Sequence, residues 1–535
     1  MIDGWTILAV ALGYVGILFA IAWIGDRREQ ASLSAAQPGT KASKKVGTVI
    51  YALTLAVYCT SWTFFGSVGL AATSGLGFIP VYLGASLMIG LCVPFMIRMV
   101  RLAKSQNITS IADFIAARYG KSQTLAALVT IIAVVGTIPY IALQLKAAAA
   151  SVEVLLRPYA SADLATSALT WSLAPAGDMA FLIALSMAAF TIAFGTRHID
   201  ATEHQGGLML AVAAESIVKL IAFLCVGLFV TYIMFDGFAD LWAKASAAGH
   251  VRDTVDEGWS LSRGITITVL SFVCILLLPR QFHVAVVENQ SERDVRTAAW
   301  LFPLYLIAIN VFVLPIALAG LLIFEPGTVD ADMFVLALPL SAGANTLAMF
   351  AFIGGLSAAT AMVIVASIAL AIMVCNEIIV PFMLRRAALR PTAQNDVAEI
   401  GPLLLNIRRM TIIVIMLLAY GFHRTMGQSA ALASIGLLSF SAIAQFAPAF
   451  FAGLVWRRAT ARGAIAGITA GFLVWSWTML VPWVATAGWI APGLIEAGPF
   501  GIAWLRPEAL FGAEMTPLVH GVFWSLVINT LTFAI

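Results

Sequence analysis

Apolar runs of membrane-spanning length follow one another along almost the whole chain. A bilayer core takes roughly 20 apolar residues per helix. About thirteen such runs occur, near 5–24, 47–72, 78–97, 123–155, 178–196, 206–235, 263–283, 297–323, 343–377, 407–423, 427–455, 463–486 and 517–535. Composition agrees: 61% of the residues are hydrophobic and 11% charged, against about 45–50% and about 25% in soluble chains. The sequence therefore predicts an all-α polytopic membrane protein and excludes a soluble multidomain enzyme or a disordered chain. A net charge of +3 with scattered Lys and Arg excludes a nucleic-acid-binding surface. The five cysteines lie in apolar stretches with neither CxxC nor Cys/His spacing, so they read as small buried hydrophobes and no metal site is expected.

The first run has no basic segment before it and is followed by Asp26-Arg27-Arg28-Glu29, so it reads as a span and not as a cleaved leader. With the N-terminus outside, the loops at 25–46, 97–122, 197–205, 280–297, 384–409 and 457–462 carry 22 of the 30 basic residues. That bias predicts these loops, and the C-terminus, on the cytoplasmic side. The outer segments 236–262 and 487–516 are long enough for short helices or lids. In the loop at 97–122, Ile108, Ile111, Ala112 and Ile115 recur at helical spacing, with Thr109 or Ser110 placed as N-cap. A short amphipathic helix on the membrane surface is expected there.

Ionisable groups inside a span cost roughly 2.5–3.5 kcal/mol each near its centre and mark function by default. Glu215 and Lys219 stand four residues apart in the 206–235 run, on one helical face and in the favourable acid-before-base order. They read either as an ion pair tying helices together or as a coupling or proton-moving pair, with Asp178 and Asp113 as further proton candidates. Two runs are poor continuous helices. The second holds Thr54-Leu-Ala-Val-Tyr-Cys-Thr-Ser-Trp-Thr-Phe-Phe-Gly66, and the seventh ends Leu278-Pro279-Arg280-Gln281-Phe282-His283. Breaks at membrane depth are tolerated where the freed backbone lines a cavity. Breaks five spans apart fit two five-helix repeats of opposite orientation around a midplane site. In the ninth run, Gly354, Ser357 and Thr360 read as close packing or as oxygen ligands of a hard cation.

Five segments together resemble the sodium/solute symporter family, and within it the transporter-like N-terminal part of certain bacterial sensor histidine kinases. They are Val57-Tyr-Cys-Thr-Ser-Trp-Thr-Phe-Phe-Gly-Ser-Val-Gly69, Gln106-Asn-Ile-Thr-Ser-Ile-Ala-Asp-Phe-Ile-Ala-Ala-Arg-Tyr-Gly-Lys121, Pro139-Tyr-Ile-Ala-Leu-Gln-Leu-Lys146, Leu278-Pro-Arg-Gln-Phe-His-Val-Ala-Val-Val-Glu288 and Gly354-Gly-Leu-Ser-Ala-Ala-Thr360. The resemblance implies a leucine-transporter-like 5+5 inverted repeat over 47–262 and 263–456, with an extra helix and loop at 1–46 and two extra helices at 457–535. It implies a sodium site at the carbonyls of Ala56 and Cys59 with Gly354 and Ser357. Ala358 stands where many sodium-coupled members carry a second hydroxyl, and Tyr58 where some carry an acid, which leaves protons as the alternative driving ion. The family's substrate positions map to Tyr58, Ser61, Trp62, Tyr140, Gln144, Phe272, Phe440 and Gln445. Arg280, Gln281 and His283 are placed at the cytoplasmic mouth, as an inner gate or a solvated helix end.

The expected activity is import of a small organic solute, an amino acid such as histidine, by sodium- or proton-driven alternating access. The alternative is a solute-sensing input module for a histidine kinase attached after Thr532-Phe-Ala-Ile535. No nucleophile–base pair or kinase segment is visible, so an enzyme is not expected.

Overall fold

The computed structural model describes residues 3–34, 41–156, 178–195, 206–249, 251, 260–388, 400–425, 431–486, 488–513 and 515–535. Among them every regular element is a helix or a helical turn. The loop expected at 197–205, and residues 389–399 of that at 384–409, lie outside the described residues. Ten helices among the described residues are long and apolar enough to cross a membrane. A bent pair, Leu261–Leu277 with Pro279–Val287, makes an eleventh, and Val46–Tyr58, Met179–Ala193 and Ala331–Ser341 are shorter apolar helices. Among the described residues of the outer segment 236–262 is the short helix Phe238–Ala247.

Two helices break in the interior, and local chemistry explains both. In the second run the chain tightens into a 3-10 turn over Leu55–Tyr58, then leaves helical geometry at Cys59 (φ −78°, ψ 95°). Thr60 Oγ1 accepts the Trp62 backbone N–H at 3.2 Å, a local bond that competes with continued helix. The helix resumes as the wide π turn Trp62–Gly66. In the seventh run Leu278 is extended (φ −62°, ψ 128°) because Pro279 follows it, and a residue before proline is pushed out of the α region. The two halves there meet at 53°.

Around these breaks the bundle is layered by burial. In the Asn345–Arg385 span 94% of the most apolar stretch is buried, against 22% for Gly4–Arg27, so the former runs through the centre and the latter along the rim. The central helix fits because Gly354 and Gly355 admit the Phe64 and Phe65 rings of the second run. The C-terminal helices Ala461–Trp475 and Pro517–Ala534 pack on each other across Gly467 and Gly471. They are tied to the core by amides: Asn529 Nδ2 donates to Gln445 O at 2.8 Å and to its Oε1 at 3.0 Å, and Gln445 Nε2 donates to Ser525 Oγ at 3.0 Å.

The helix expected on the membrane surface forms over Ile111–Arg118, with Ser110 as its N-cap accepting the Asp113 N–H at 3.0 Å. Its position differs from the expectation. Ile111, Ala112 and Ile115 are buried in protein, and the end of the helix is anchored to core backbone. Arg118 donates to the Gly453 and Trp456 carbonyls, and the Tyr119 hydroxyl donates to Ala449 O at 2.8 Å. Protein, not lipid, covers the apolar face.

Asp332 closes the opposite end. It lies between the spans Glu292–Ile323 and Asn345–Arg385, and its Oδ2 accepts the Leu432 N–H at 2.9 Å, capping the Leu432–Ile443 helix. Gly69 makes room: a Cβ there would come within 2.8 Å of Asp332 Cγ. Burial, helped by neighbouring Asp330 and opposed by the Leu432 N–H and Lys146, pushes the Asp332 carboxyl from 3.8 up to about 7. An acid whose pKa is higher folded than unfolded binds its proton more tightly in the folded state. Its contribution to stability therefore falls as pH rises from about 4 to about 7 and is level above that. Asp332→Asn keeps an oxygen for Leu432 and removes the charge. Thermal melts of the detergent-solubilised chain between pH 4 and 8 are expected to lose this slope in the variant, which melts above the parent at pH 8.

Candidate functional site

The first break frees the carbonyls of Ala56 and Cys59, and an ammonium group occupies them. Lys219 Nζ, fully buried on the Gly206–Phe229 helix, donates to Ala56 O at 2.7 Å and Cys59 O at 2.6 Å. These are the two carbonyls expected to hold sodium. Glu215, one turn away and also buried, turns to the central helix: its Oε1 accepts from Thr360 Oγ1, and its main-chain carbonyl accepts from Ser357 Oγ at 2.8 Å. Among the described residues no salt bridge joins Glu215 to Lys219, so of the two readings of this pair the direct ion pair is not formed; each side chain instead ties its helix to a different neighbour. Shared helical face brought them near, but each side chain is long enough to reach a different helix. Of the other two expected cation ligands, Ser357 is engaged as well, its hydroxyl donating to the Glu215 carbonyl, and Gly354 lies where Phe64 and Ala222 close on the helix.

Beside the breaks stands a box of aromatic rings from three helices. Tyr140 stacks on Phe440 with centroids 5.7 Å apart, and Trp62 meets Phe440 edge-on at 5.1 Å and Tyr140 at 6.3 Å. Tyr58 lies 6.2 Å from Phe440. The rings are oriented by their hydroxyls: Tyr140 OH pairs with Thr60 Oγ1 at 3.0 Å and Tyr58 OH with Ser271 Oγ at 2.7 Å. Gln144 clamps the break, its Oε1 accepting the Ser61 N–H at 3.1 Å. Six of the eight expected substrate residues (Tyr58, Ser61, Trp62, Tyr140, Gln144 and Phe440) thus converge. Gln445 does not: its amide is spent on Asn529 and Ser525 of the last helix. Phe272 is half-buried and outside the ring cluster.

Arg280 is the residue whose place differs most from expectation. It is not at an open mouth; it is 1% exposed, and its guanidinium lies 4.4 Å over the Tyr140 ring. The extended Leu278-Pro279 step aims it there, because the short helix that follows starts inside the bundle. Among the described residues its Nε, Nη1 and Nη2 find no hydrogen-bond acceptor, and neither do the Gln281 amide group and the Ser61 hydroxyl find partners for their side chains. His283 Nε2 sits 3.4 Å from Glu288 Oε1, so this one of the three expected gate residues faces a carboxyl group. Sequence reasoning missed Ser271, which fixes the Tyr58 hydroxyl, and Cys274, which holds the Phe440 backbone; neither is marked out by composition. Cys274 Sγ donates to Phe440 O at 3.1 Å. A basic hollow of about 460 Å³ lined by Arg98, Arg101 and Arg118 includes none of the cluster.

No family model and no curated protein matches the chain. Solved structures do. The substrate-bound, outward-open structure of a Na+-coupled sialic acid symporter is similar over 99% of this chain and 97% of its own, with a TM-score of 0.62 at 14% identity. A manganese transporter from Eremococcus coleocola is similar over 93% and 97%, with a TM-score of 0.50 at 13% identity. At such identity the likeness is one of fold: this multi-pass chain is built, from end to end, on a fold shared with membrane transporters.

Proposed function

We propose that this chain is a secondary transporter that imports a small organic solute, an amino acid such as histidine, by alternating access in a bacterial inner membrane. The solute sits in the Tyr58–Trp62–Tyr140–Phe440 box beside the two helix breaks, and the movement is driven by protons. The observation that carries the reading is Lys219 on the Ala56 and Cys59 carbonyls. A hard cation needs several oxygens; here two are filled by a tethered ammonium, Ser357 is engaged elsewhere, and Ala358 has no side-chain oxygen. A fixed cation at the break does structurally what a bound sodium would, and leaves Glu215 as the group able to exchange a proton within the membrane.

Uptake of radiolabelled L-histidine and the other amino acids into inside-negative proteoliposomes tests this. Accumulation is expected with an inward proton gradient and without sodium. Accumulation that requires sodium would overturn the coupling. Saturable binding without accumulation under any gradient would leave the second reading, a receptor reporting occupancy to an attached kinase. The Gln445–Asn529 amide link between the core and the last helix is the structural feature that favours that alternative.

A further inference from the structure

We infer that Arg280 is the anchor for a carboxylate on the solute, so that the site selects small organic acids or zwitterions and rejects the corresponding amines. This rests on the ring box being the solute site. A cation taken out of water into a protein interior is normally paired and hydrogen-bonded. Arg280 is buried, yet all three of its guanidinium nitrogens lack an acceptor among the described residues. Its one close partner is Tyr140: the ring lies 4.4 Å from the guanidinium carbon, and the hydroxyl, already paired with Thr60, is a neutral group that brings no negative charge to the fork. The other groups within electrostatic reach are Tyr58, Cys274, Cys59 and Lys219: three neutral and one cationic. The single carboxylate on the Lys219 helix, Glu215, is engaged by Thr360. Lys219 and Arg280, at the two breaks, therefore have one carboxyl group between them, Glu288 being beside His283, and the missing negative charge is at Arg280.

What fits there is set by geometry. A guanidinium presents parallel N–H donors matched to the two oxygens of a carboxylate. The unpaired Gln281 amide follows it in the chain, and the unpaired Ser61 hydroxyl stands at the other break, so polar complements for a second substituent are at hand. The surrounding rings limit the remainder of the solute to a small, largely apolar body. A free inorganic anion such as chloride shares the charge but not the two-oxygen shape.

The test is equilibrium binding and thermal stabilisation of the full chain in detergent. The probes are L-histidine, its decarboxylated amine histamine and its methyl ester, then the other amino acids with their amines, and potassium chloride against potassium isethionate. Carboxylate-bearing probes are expected to bind, with amines and esters at least about 30-fold weaker, the loss typical of one partner of a buried charged contact. Arg280→Gln is expected to lose that binding while melting, without ligand, at or above the parent, because it removes an uncompensated buried charge. Arg280→Lys, a point charge without the fork, is expected to bind more weakly than the parent and more tightly than Gln. A purely structural arginine would instead give lower melting in Arg280→Gln and unchanged acid-over-amine selectivity. Equal binding of acids and amines, stabilisation by chloride alone, or binding of no probe overturns the assignment. The parent's ester and amine series decides even where a variant fails to fold. Acid-selective binding without accumulation would end the transport reading and leave this one standing; accumulation of amines would do the reverse.

Discussion

Lys219→Met is expected to bring uptake to background at every sodium concentration and to lower the melting temperature of the solubilised chain. Two charge-assisted hydrogen bonds at 2.7 and 2.6 Å are lost, and the Ala56 and Cys59 carbonyls are left buried against a methyl group. An orphaned buried acceptor costs about 1–3 kcal/mol. Glu215 also loses the nearest opposite charge on its own helix, which deepens the penalty of its burial. Sodium is not expected to restore function, because only two backbone oxygens are vacated. Ser357 stays hydrogen-bonded to the Glu215 carbonyl and position 358 is alanine, so the oxygen count falls short of what a hard cation takes. Initial uptake rates at 0 and high sodium, with parallel melts, check both halves. Retained uptake in Lys219→Met, at any sodium concentration, would show that the first break is not held by this ammonium.

How much of this was legible in the sequence follows from how far each signal reaches. Breaks are local, and both could be read: Pro279 dictates an extended Leu278, and the hydroxyl-rich run through Thr60 supplies the side-chain bond that competes with helix. The Ser110 cap was local in the same way. Charge inside a span could be read too, as a demand for a partner, but not who the partner is. Periodicity puts Glu215 and Lys219 on one face; it does not show that Lys219 reaches carbonyls 160 and 163 residues away. Gln445 likewise announced a need for hydrogen bonds, and only the packing of the last helix shows that Asn529 and Ser525 meet it. Arg280 was misplaced for a different reason. Counted among the basic residues of one loop, it belonged at the membrane edge, whereas a residue just after a broken helix lines the interior. The aromatic box was found only through the resemblance, since an apolar ring in an apolar span looks the same in a core as in a site.

Gly84→Val is expected to yield no folded protein, and Gly84→Ala a chain that melts well below the parent and binds solute poorly. The Ile79–Leu91 and Leu261–Leu277 helices cross at Gly84 so closely that an added Cβ would land on the Thr268 carbonyl oxygen, 2.8 Å from Phe272 N and 2.8 Å from Ser271 Cβ. Two of those three atoms are backbone, so no side chain can swing aside. Close approach through small residues is how helices associate where lipid supplies no hydrophobic drive, and overpacking a tight contact costs about 1–3 kcal/mol even when side chains alone must move. Separation of the helices would also pull Ser271 from Tyr58, whose hydroxyls meet at 2.7 Å, and from the Val81 carbonyl that both contact. That loosens one wall of the ring box, so the damage reaches binding as well as stability. Gly13→Ala is the control: nothing lies within 4 Å of a Cβ there, and alanine in a helix interior is favoured over glycine by about 0.5–1 kcal/mol. Melting curves of the three variants, with solute binding measured on those that fold, separate a steric clash at one crossing from a general intolerance of glycine replacement. Parent-like melting and binding in Gly84→Ala would mean that the two helices do not approach as closely as described.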